Sequence, residues 1–304
     1  MSEKENFRAY IALIAIYIVW GTTYLAIKIG VKDLPPILFA GLRWFIAGPI
    51  LLIILRLRGI ELPKKTDLIH LAIVGLSLLG IGNVFVVFGE QWVPSGLTAL
   101  LITTTPFWIV GLESLIPKGA RINRIIFLGL LLGLGGVALI FGGDINKLFD
   151  SSYLIGILAI MLAELGWSAG TVYSKYKKIS VHPLMGASIQ MIIAGFVLTI
   201  LGLILGEAAD LHFTTESSFA FMYLIVFGSL AGYGSYIYAV AHLPISLVST
   251  YAYVNPIIAL FLGWWILGEE ISATIVIAAV IILCGVALVK KGSSKPKLKF
   301  NQEN

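Results

Sequence analysis

Ten stretches of mostly apolar residues follow one another along this chain, with only short polar turns between them. The predicted spans cover residues 8–29, 36–57, 67–90, 94–115, 122–142, 152–175, 183–206, 217–241, 244–267 and 271–290. Each has the roughly 20 residues that a helix needs to cross the hydrocarbon core of a bilayer. Charged residues make up 12% of the chain, against about 25% in soluble proteins, so lipid must solvate most of its surface. The sequence therefore predicts an all-α integral membrane protein with ten transmembrane helices.

The distribution of lysine and arginine predicts how these helices are oriented. With the N-terminus in the cytoplasm, 17 of the 21 Lys and Arg residues fall on the cytoplasmic side, as the positive-inside rule requires. The longest predicted outer loop, GEAADLHFTTESS, has no basic residue. We therefore expect a multi-pass protein of the cell membrane with both termini cytoplasmic, including a basic tail over residues 291–304. The net charge of +5 then reflects membrane topology and contact with the lipid bilayer, and it predicts no nucleic-acid partner.

The second half of the sequence repeats features of the first. Trp20 returns as Trp167, 147 positions later, Gly82 returns as Gly232, and the tetrapeptide GVAL occurs at 136–139 and at 285–288. We therefore predict two five-helix repeats, over residues 8–142 and 152–290. Because five is odd, the second repeat must enter the membrane in the opposite orientation to the first. Inverted repeats are typical of transporters, in which two similar halves exchange conformations around a central site.

Several segments together resemble a known family. They are VWGTTYLAIK in the first span, FAGLRWFIAGPILL in the second, PSGLTALLITTTPFW in the fourth, VNP in the ninth, LGEEIS before the tenth, and the paired GVAL segments. The chain thus resembles the drug/metabolite transporter superfamily, and in particular the EamA-type ten-helix exporters. The resemblance implies a secondary carrier of amino acids, other metabolites or drug-like compounds. It also implies that helices 1, 3, 4, 6, 8 and 9 surround the transport pathway.

Polar and aromatic residues inside the spans are the candidates for substrate binding. Tyr17, Trp20 and Tyr24 lie on one face of the first helix, since three or four residues separate neighbours on a face. Such a face suits a solvated cavity better than lipid, although it could also serve only to fill helix contacts. The predicted substrate-binding residues are Tyr17, Trp20, Tyr24, Asn83, Thr104, Glu164, Trp167, Tyr233, Tyr236 and Asn255.

Two charged residues and two prolines within the spans call for separate hypotheses. Glu164 is costly to expose to lipid, so it binds an amino group, carries a coupling proton, or is a buried structural carboxyl. Arg43 either anchors a substrate carboxylate or serves in an ion pair or a helix cap. Pro106 and Pro256 free backbone carbonyls one turn earlier, so they are candidate hinges or kinks.

Two further carboxylates, Glu90 and Glu113, lie near predicted helix ends. We interpret them as side chains that reach the membrane interface.

Other classes of protein fit the sequence less well. All five aspartates lie in predicted loops, the four histidines lie near helix ends, and the single Cys284 cannot form a disulfide framework. No metal-ligand spacing or phosphate-binding loop is present, so we predict no enzyme activity, no cofactor and no metal. A channel remains an alternative function, and an intramembrane enzyme a less favoured one. We expect a secondary-active exporter of small metabolites that works by alternating access, and its glycine-bearing helices could also pair two copies into a homodimer.

Overall fold

The structure, a computed structural model, describes residues 3–117, 122–142, 150–177, 179–243, 248 and 251–293. Its long helices are α1 (Glu3–Gly30), α2 (Pro36–Leu57), α3 (Lys65–Gly89), α4 (Ser95–Ser114), α5 (Arg124–Gly142), α6 (Ser151–Tyr176), α7 (Pro183–Ile204), α8 (Thr215–His242), α9 (Tyr251–Leu267) and α10 (Ala273–Ser293). Eight of them contain a segment long and apolar enough to cross a membrane, and the apolar parts of α5 and α9 are shorter. The predicted ten-helix, all-α membrane architecture is therefore confirmed.

Helix α10 continues to Ser293, so the first residues of the predicted tail are helical. The remainder of that tail, residues 294–304, lies outside the described part of the chain.

Three of the helices are irregular in the middle of the bundle. In α3, residues Leu76–Asn83 are π-helical, and in α8 the corresponding stretch Leu224–Tyr233 is π-helical as well. Helix α4 is interrupted at Thr103 and Thr104, and its second segment begins with Thr105 and Pro106. Such departures from regular α-helix often occur at functional sites, because they redirect side chains and free backbone groups.

The helices pack in a pattern that repeats between the two halves. Helix α2 packs against α7, and α5 packs against α10. Helix α1 contacts α8 and α9, and its counterpart α6 contacts α3 and α4. These are the same contacts with the two halves exchanged. The two five-helix halves are thus interlocked through equivalent contacts.

The tryptophans of the repeat show this exchange at the level of side chains. A Cβ atom added to Gly82 would lie 3.2 Å from Trp167, and one added to Gly232 would lie 2.6 Å from the Trp20 side chain. Each tryptophan therefore packs on the bare backbone of a glycine from the opposite half. Small residues at such positions let two membrane helices approach closely.

Glutamate side chains join helix ends across the two halves. The Glu269 carboxylate, between α9 and α10, accepts hydrogen bonds from Ser95 N (2.8 Å), Ser95 Oγ (2.9 Å) and Gly96 N (3.1 Å) at the start of α4. The Glu207 carboxylate, after α7, accepts from Ile37 N (3.3 Å) and Leu38 N (2.6 Å) at the start of α2. Carboxylates stabilise helix N-termini because they satisfy free N–H groups and oppose the helix dipole.

We expect Glu269→Gln to lower the free energy of unfolding by about 1–2 kcal/mol, because the neutral amide loses the charge at the start of α4. Thermal unfolding of purified protein, followed by tryptophan fluorescence, measures the change. Glu270→Gln is the matched control, since Glu270 is the next residue and is exposed. Equal melting temperatures for the two variants would contradict the capping role of Glu269.

Candidate functional site

A cavity lies in the centre of the bundle, where α1, α2, α3, α4, α6, α8 and α9 meet. Its lining residues are Trp20, Thr23, Tyr24, Ile27, Arg43, Trp44, Leu79, Gly82, Asn83, Val86, Ile102, Thr105, Glu164, Trp167, Gly228, Tyr233 and Tyr251. The cavity volume is about 80 Å³, below the roughly 300 Å³ at which ligand pockets begin. This conformation therefore holds the site contracted. The six helices implied by the family resemblance all line it, together with α2.

Aromatic rings form one wall of the cavity. The Trp20 ring meets the rings of Trp167 and Tyr251 edge to face, with centroids 5.6 and 5.3 Å apart. Tyr236 completes the cluster at 5.1 Å from Trp20. Clustered aromatic rings offer a large apolar surface with polar edges. This wall is suited to the apolar part of a small molecule.

Arg43 supplies the positive charge of the cavity. Its side chain is 3% exposed, and Nη2 donates to Asn83 Oδ1 at 2.7 Å. The guanidinium lies 4.1 Å from the centroid of the Trp44 ring, and Nε is buried without a hydrogen-bond partner among the described residues. Among the described residues, no carboxylate forms a salt bridge with Arg43. Its charge is therefore available to an anionic group in the cavity.

The second half carries a neutral version of the same arrangement. Position 190 is the repeat equivalent of Arg43, and position 233 is the equivalent of Asn83. Tyr233 donates from its hydroxyl to Gln190 Oε1 at 2.5 Å. The hydrogen bond between the second and third helices of each repeat is thus kept, but only the first half places a charge there.

Glu164 supplies the carboxyl group of the cavity lining. It is 3% exposed, and its Oε2 atom is buried with no hydrogen-bond partner in the described ranges. The Thr105 side chain is within hydrogen-bonding reach of the carboxyl. Thr105 also begins the second segment of α4, so the positive end of that segment's dipole lies beside Glu164. A buried acceptor without a partner is costly, and a donor group on a ligand could satisfy it.

The structure brings most of the predicted substrate-binding residues to one place. Arg43 and six of the predicted residues line the cavity. The six are Trp20, Tyr24, Asn83, Glu164, Trp167 and Tyr233. These residues come from both halves of the chain. Their contact with a substrate stays a prediction.

The other four predicted residues lie beside the cavity and are not among its lining residues. Thr104 donates to Leu101 O (2.7 Å) and accepts from Trp108 Nε1 (3.3 Å), so it stabilises the interruption of α4. Asn255, with its amide nitrogen turned toward α1, donates to Tyr17 O (3.0 Å), so it joins α9 to α1. Tyr236 contacts the rings of Trp20 and Trp167 in the aromatic cluster.

The two prolines occupy different settings. Pro106 lies in the first turn after the interruption of α4, whereas α9 continues through Pro256 without a break. Their role as hinges stays a prediction.

Some lining residues are absent from the list of predicted substrate-binding residues, notably Trp44, Thr105 and Tyr251. Each had a signal in the sequence. Trp44 directly follows Arg43, Thr105 directly precedes Pro106, and Tyr251 lies four residues before Asn255 and thus on the same face of its helix. Tyr251 completes the aromatic wall, and Thr105 completes the side of the cavity that holds Glu164.

At one end of the bundle, Lys28 joins α1 to the turn between α3 and α4. Its Nζ donates to the carbonyl oxygens of Glu90 (2.5 Å), Gln91 (3.3 Å) and Val93 (3.1 Å). These contacts use all three donors of the ammonium group. At the other end of α4, Lys175 of α6 forms a salt bridge with Glu113. The two equivalent lysines of the repeat thus hold opposite ends of the bundle.

The interpretation of Glu90 as a residue that reaches the membrane interface is wrong. Its side chain is 0% exposed, and neither carboxyl oxygen has a hydrogen-bond partner in the part of the chain that the structure describes. Glu90 follows the last residue of α3, and burial raises the pKa of its carboxyl well above the ordinary value. Lys28 opposes this increase in the pKa, and Glu269 adds to it. Glu113 is also buried, in its salt bridge with Lys175.

Comparisons with known proteins agree with this architecture. The model of the EamA-like transporter family matches residues 7–142 and again residues 154–290. The uncharacterized inner membrane transporter YedA of Escherichia coli (strain K12) is 36% identical over 282 residues, which cover 92% of this chain and 90% of that protein. A probable amino-acid metabolite efflux pump of Salmonella typhimurium is 24% identical, with 94% of each chain covered.

One solved crystal structure of a protein has the same fold. The alignment covers 97% of this chain and 100% of the chain in that structure. The TM-score is 0.67 and the sequence identity is 19%, so this likeness concerns the fold alone.

Proposed function

This chain belongs to the EamA-like transporter family, and from that premise we propose that it exports small zwitterionic metabolites of the amino-acid class by alternating access. Membrane transport itself follows from the family. The substrate class, the direction and the mechanism are our proposal. The observation that carries the substrate class is that a guanidinium, Arg43, and a carboxyl group, Glu164, line one aromatic cavity without a salt bridge between them.

The chemistry of these two residues matches the two ends of an amino acid. A guanidinium binds a carboxylate through parallel N–H donors, and Arg43 Nε is a buried donor that no described residue satisfies. A carboxylate binds an ammonium group, and Glu164 Oε2 is a buried acceptor that has no hydrogen-bond partner among the described residues. The aromatic wall around Trp20 and Trp167 would take an apolar side chain. The printed name of the Salmonella typhimurium relative supports the same class of substrate.

The two lysine contacts support alternating access. Lys28 holds one end of the bundle and Lys175 the other, and the cavity between them is contracted. We propose that the repeats over residues 8–142 and 152–290 move against each other, so that each lysine contact breaks in turn. The lysine and arginine distribution favours a Lys28 end outside the cell and both termini in the cytoplasm. One chain contains both halves, and a homodimer is not needed for this cycle.

A competition experiment in proteoliposomes tests the substrate class. Exchange of labelled phenylalanine is measured against phenylalanine amide, phenethylamine and phenylpropionate, each of which changes or lacks one of the two charged ends. We expect each analogue to compete at least about tenfold more weakly than phenylalanine, since one charge-assisted hydrogen bond contributes about 1.5–3 kcal/mol.

The other outcomes distinguish the alternative functions. Phenethylamine that competes as well as phenylalanine would favour an exporter of amphipathic cations, which Glu164 and the aromatic wall alone could bind. Unlabelled phenylalanine on the far side of the membrane accelerates exchange through a carrier but not through a channel. Folded protein that moves none of the four compounds would contradict the proposed substrate class.

A further inference from the structure

The carboxyl of Glu90 has surroundings that the proposed substrate site does not explain. It lies at the end of the bundle held by Lys28, it is fully buried, and neither oxygen has a hydrogen-bond partner among the described residues. Almost all buried polar side-chain atoms in proteins have such a partner. A buried carboxylate without one is far more costly than the neutral acid. This arrangement calls for a function of Glu90 in which the carboxyl is neutral at one stage.

The neighbouring ionisable groups leave Glu90 without a firm counter-ion. The ammonium of Lys28 uses its donors on three backbone carbonyls, one of them that of Glu90 itself. The Glu269 carboxylate accepts hydrogen bonds from backbone N–H groups at the start of α4, and it would repel a negative charge on Glu90. Tyr24 is a further ionisable side chain near Glu90. The adjoining residues 36–42 of α2 and 151–163 of α6 contain no Asp, Glu, His, Lys or Arg.

We propose that Glu90 is a proton-binding site of the transporter, and that its protonation stabilises the closed state of the Lys28 end. The step is a transfer between one carboxyl oxygen of Glu90 and water at that end of the bundle. Binding forms the O–H bond and neutralises the carboxyl, and release returns the proton to water. This inference rests on the proposed alternating access and adds its coupling ion.

The physical basis is a difference in hydration between two conformations. In the closed conformation water cannot reach Glu90, so the neutral acid is favoured. When α1 separates from the turn between α3 and α4, water can solvate the carboxylate and the ammonium of Lys28, so the charged form is favoured. Linkage then requires that protonation favours closure and that loss of the proton favours opening. Each pKa unit of difference between the conformations shifts their ratio about tenfold.

The test measures access to the cavity from the Lys28 end. The reporter is Thr23→Cys, at a position that lines the cavity, in a chain that also carries Cys284→Ala. Sealed membrane vesicles of both orientations are treated with a membrane-impermeant thiosulfonate between about pH 5.5 and about pH 8.5, on either side of neutrality. In a separate chain Lys32→Cys, at an exposed position beside the same end, reports which vesicles present that end to the reagent.

Glu90→Gln, which gives a neutral side chain of the same shape, is the matched variant. The labelling rate of the reporter chain is divided by the rate of the same chain with Glu90→Gln, so that the ionisation of the thiol itself cancels. We expect this ratio to be near one at the acidic limit and to rise about tenfold or more by the alkaline limit. Glu90→Asp should keep the pH dependence, and Lys28→Met should label faster at every pH.

A ratio that stays constant with pH would overturn the proposal, as would faster labelling of the chain that carries Glu90→Gln. If Glu90→Gln does not fold, the Glu90→Asp protein decides, since loss of its pH dependence also overturns the proposal. The labelling needs no substrate. Failure of the phenylalanine competition would therefore leave this result standing, and failure here would leave the proposed substrate class standing.

Discussion

Replacement of Gly195 by leucine is expected to leave no correctly folded protein in the membrane. Gly195 lies where α7 crosses α2, and a Cβ atom there would collide with Phe45 N and would lie 2.7 Å from Phe45 Cα. The atoms in the way belong to the backbone, which cannot rotate aside as a side chain can. Small residues at such crossings let membrane helices approach closely. We expect a loss of more than about 3 kcal/mol of stability.

The yield of monodisperse protein after extraction and its thermal unfolding measure this effect. Gly135→Leu is the matched control, because a Cβ atom on Gly135 would have no atom within 4 Å. That variant should extract and unfold like the unmodified protein. Gly48, the repeat equivalent of Gly195, has a similar contact of 2.8 Å with Ile192 N, so Gly48→Leu should fail as well. Normal unfolding of Gly195→Leu would contradict the packing of α2 on α7.

Removal of either cavity charge is expected to change which ligands the protein distinguishes. Glu164→Gln should bind phenylalanine about 10-fold to 100-fold more weakly, from the loss of one charge-assisted hydrogen bond of about 1.5–3 kcal/mol. It should also lose the preference for phenylalanine over phenylpropionate, which lacks the amino group. Its preference for phenylalanine over phenethylamine should remain, since that preference depends on Arg43.

Arg43→Gln should give the opposite pattern, with the preference over phenethylamine lost and the preference over phenylpropionate kept. Glutamine is a suitable replacement, because Gln190 occupies the equivalent position in the second half and bonds to Tyr233 there. The amide can therefore keep a hydrogen bond to Asn83 while the charge is removed. Competition curves for both variants provide the measurement. An equal loss for all ligands in either variant would indicate a structural role for that residue.

Much of the fold could be predicted from the sequence. The ten spans follow from the length and composition of apolar stretches, because only a helix satisfies its own backbone hydrogen bonds in lipid. The repeat is visible through tryptophan, glycine and proline residues, whose backbone or packing roles are hard to replace. The cavity residues could be predicted less completely. Tyr17 and Tyr24 share a helix face, yet of the two only Tyr24 lines the cavity.

The order of residues is enough to predict the class of protein, the number of helices, the repeated halves and the charged residues that require a role within the membrane. Which of those residues meet depends on how the helices pack. That packing places Arg43 with Asn83, brings Trp44 and Tyr251 to the cavity, and buries Glu90 near Lys28. The physical reason is that periodicity defines the faces of one helix, whereas a site depends on which faces of different helices pack together.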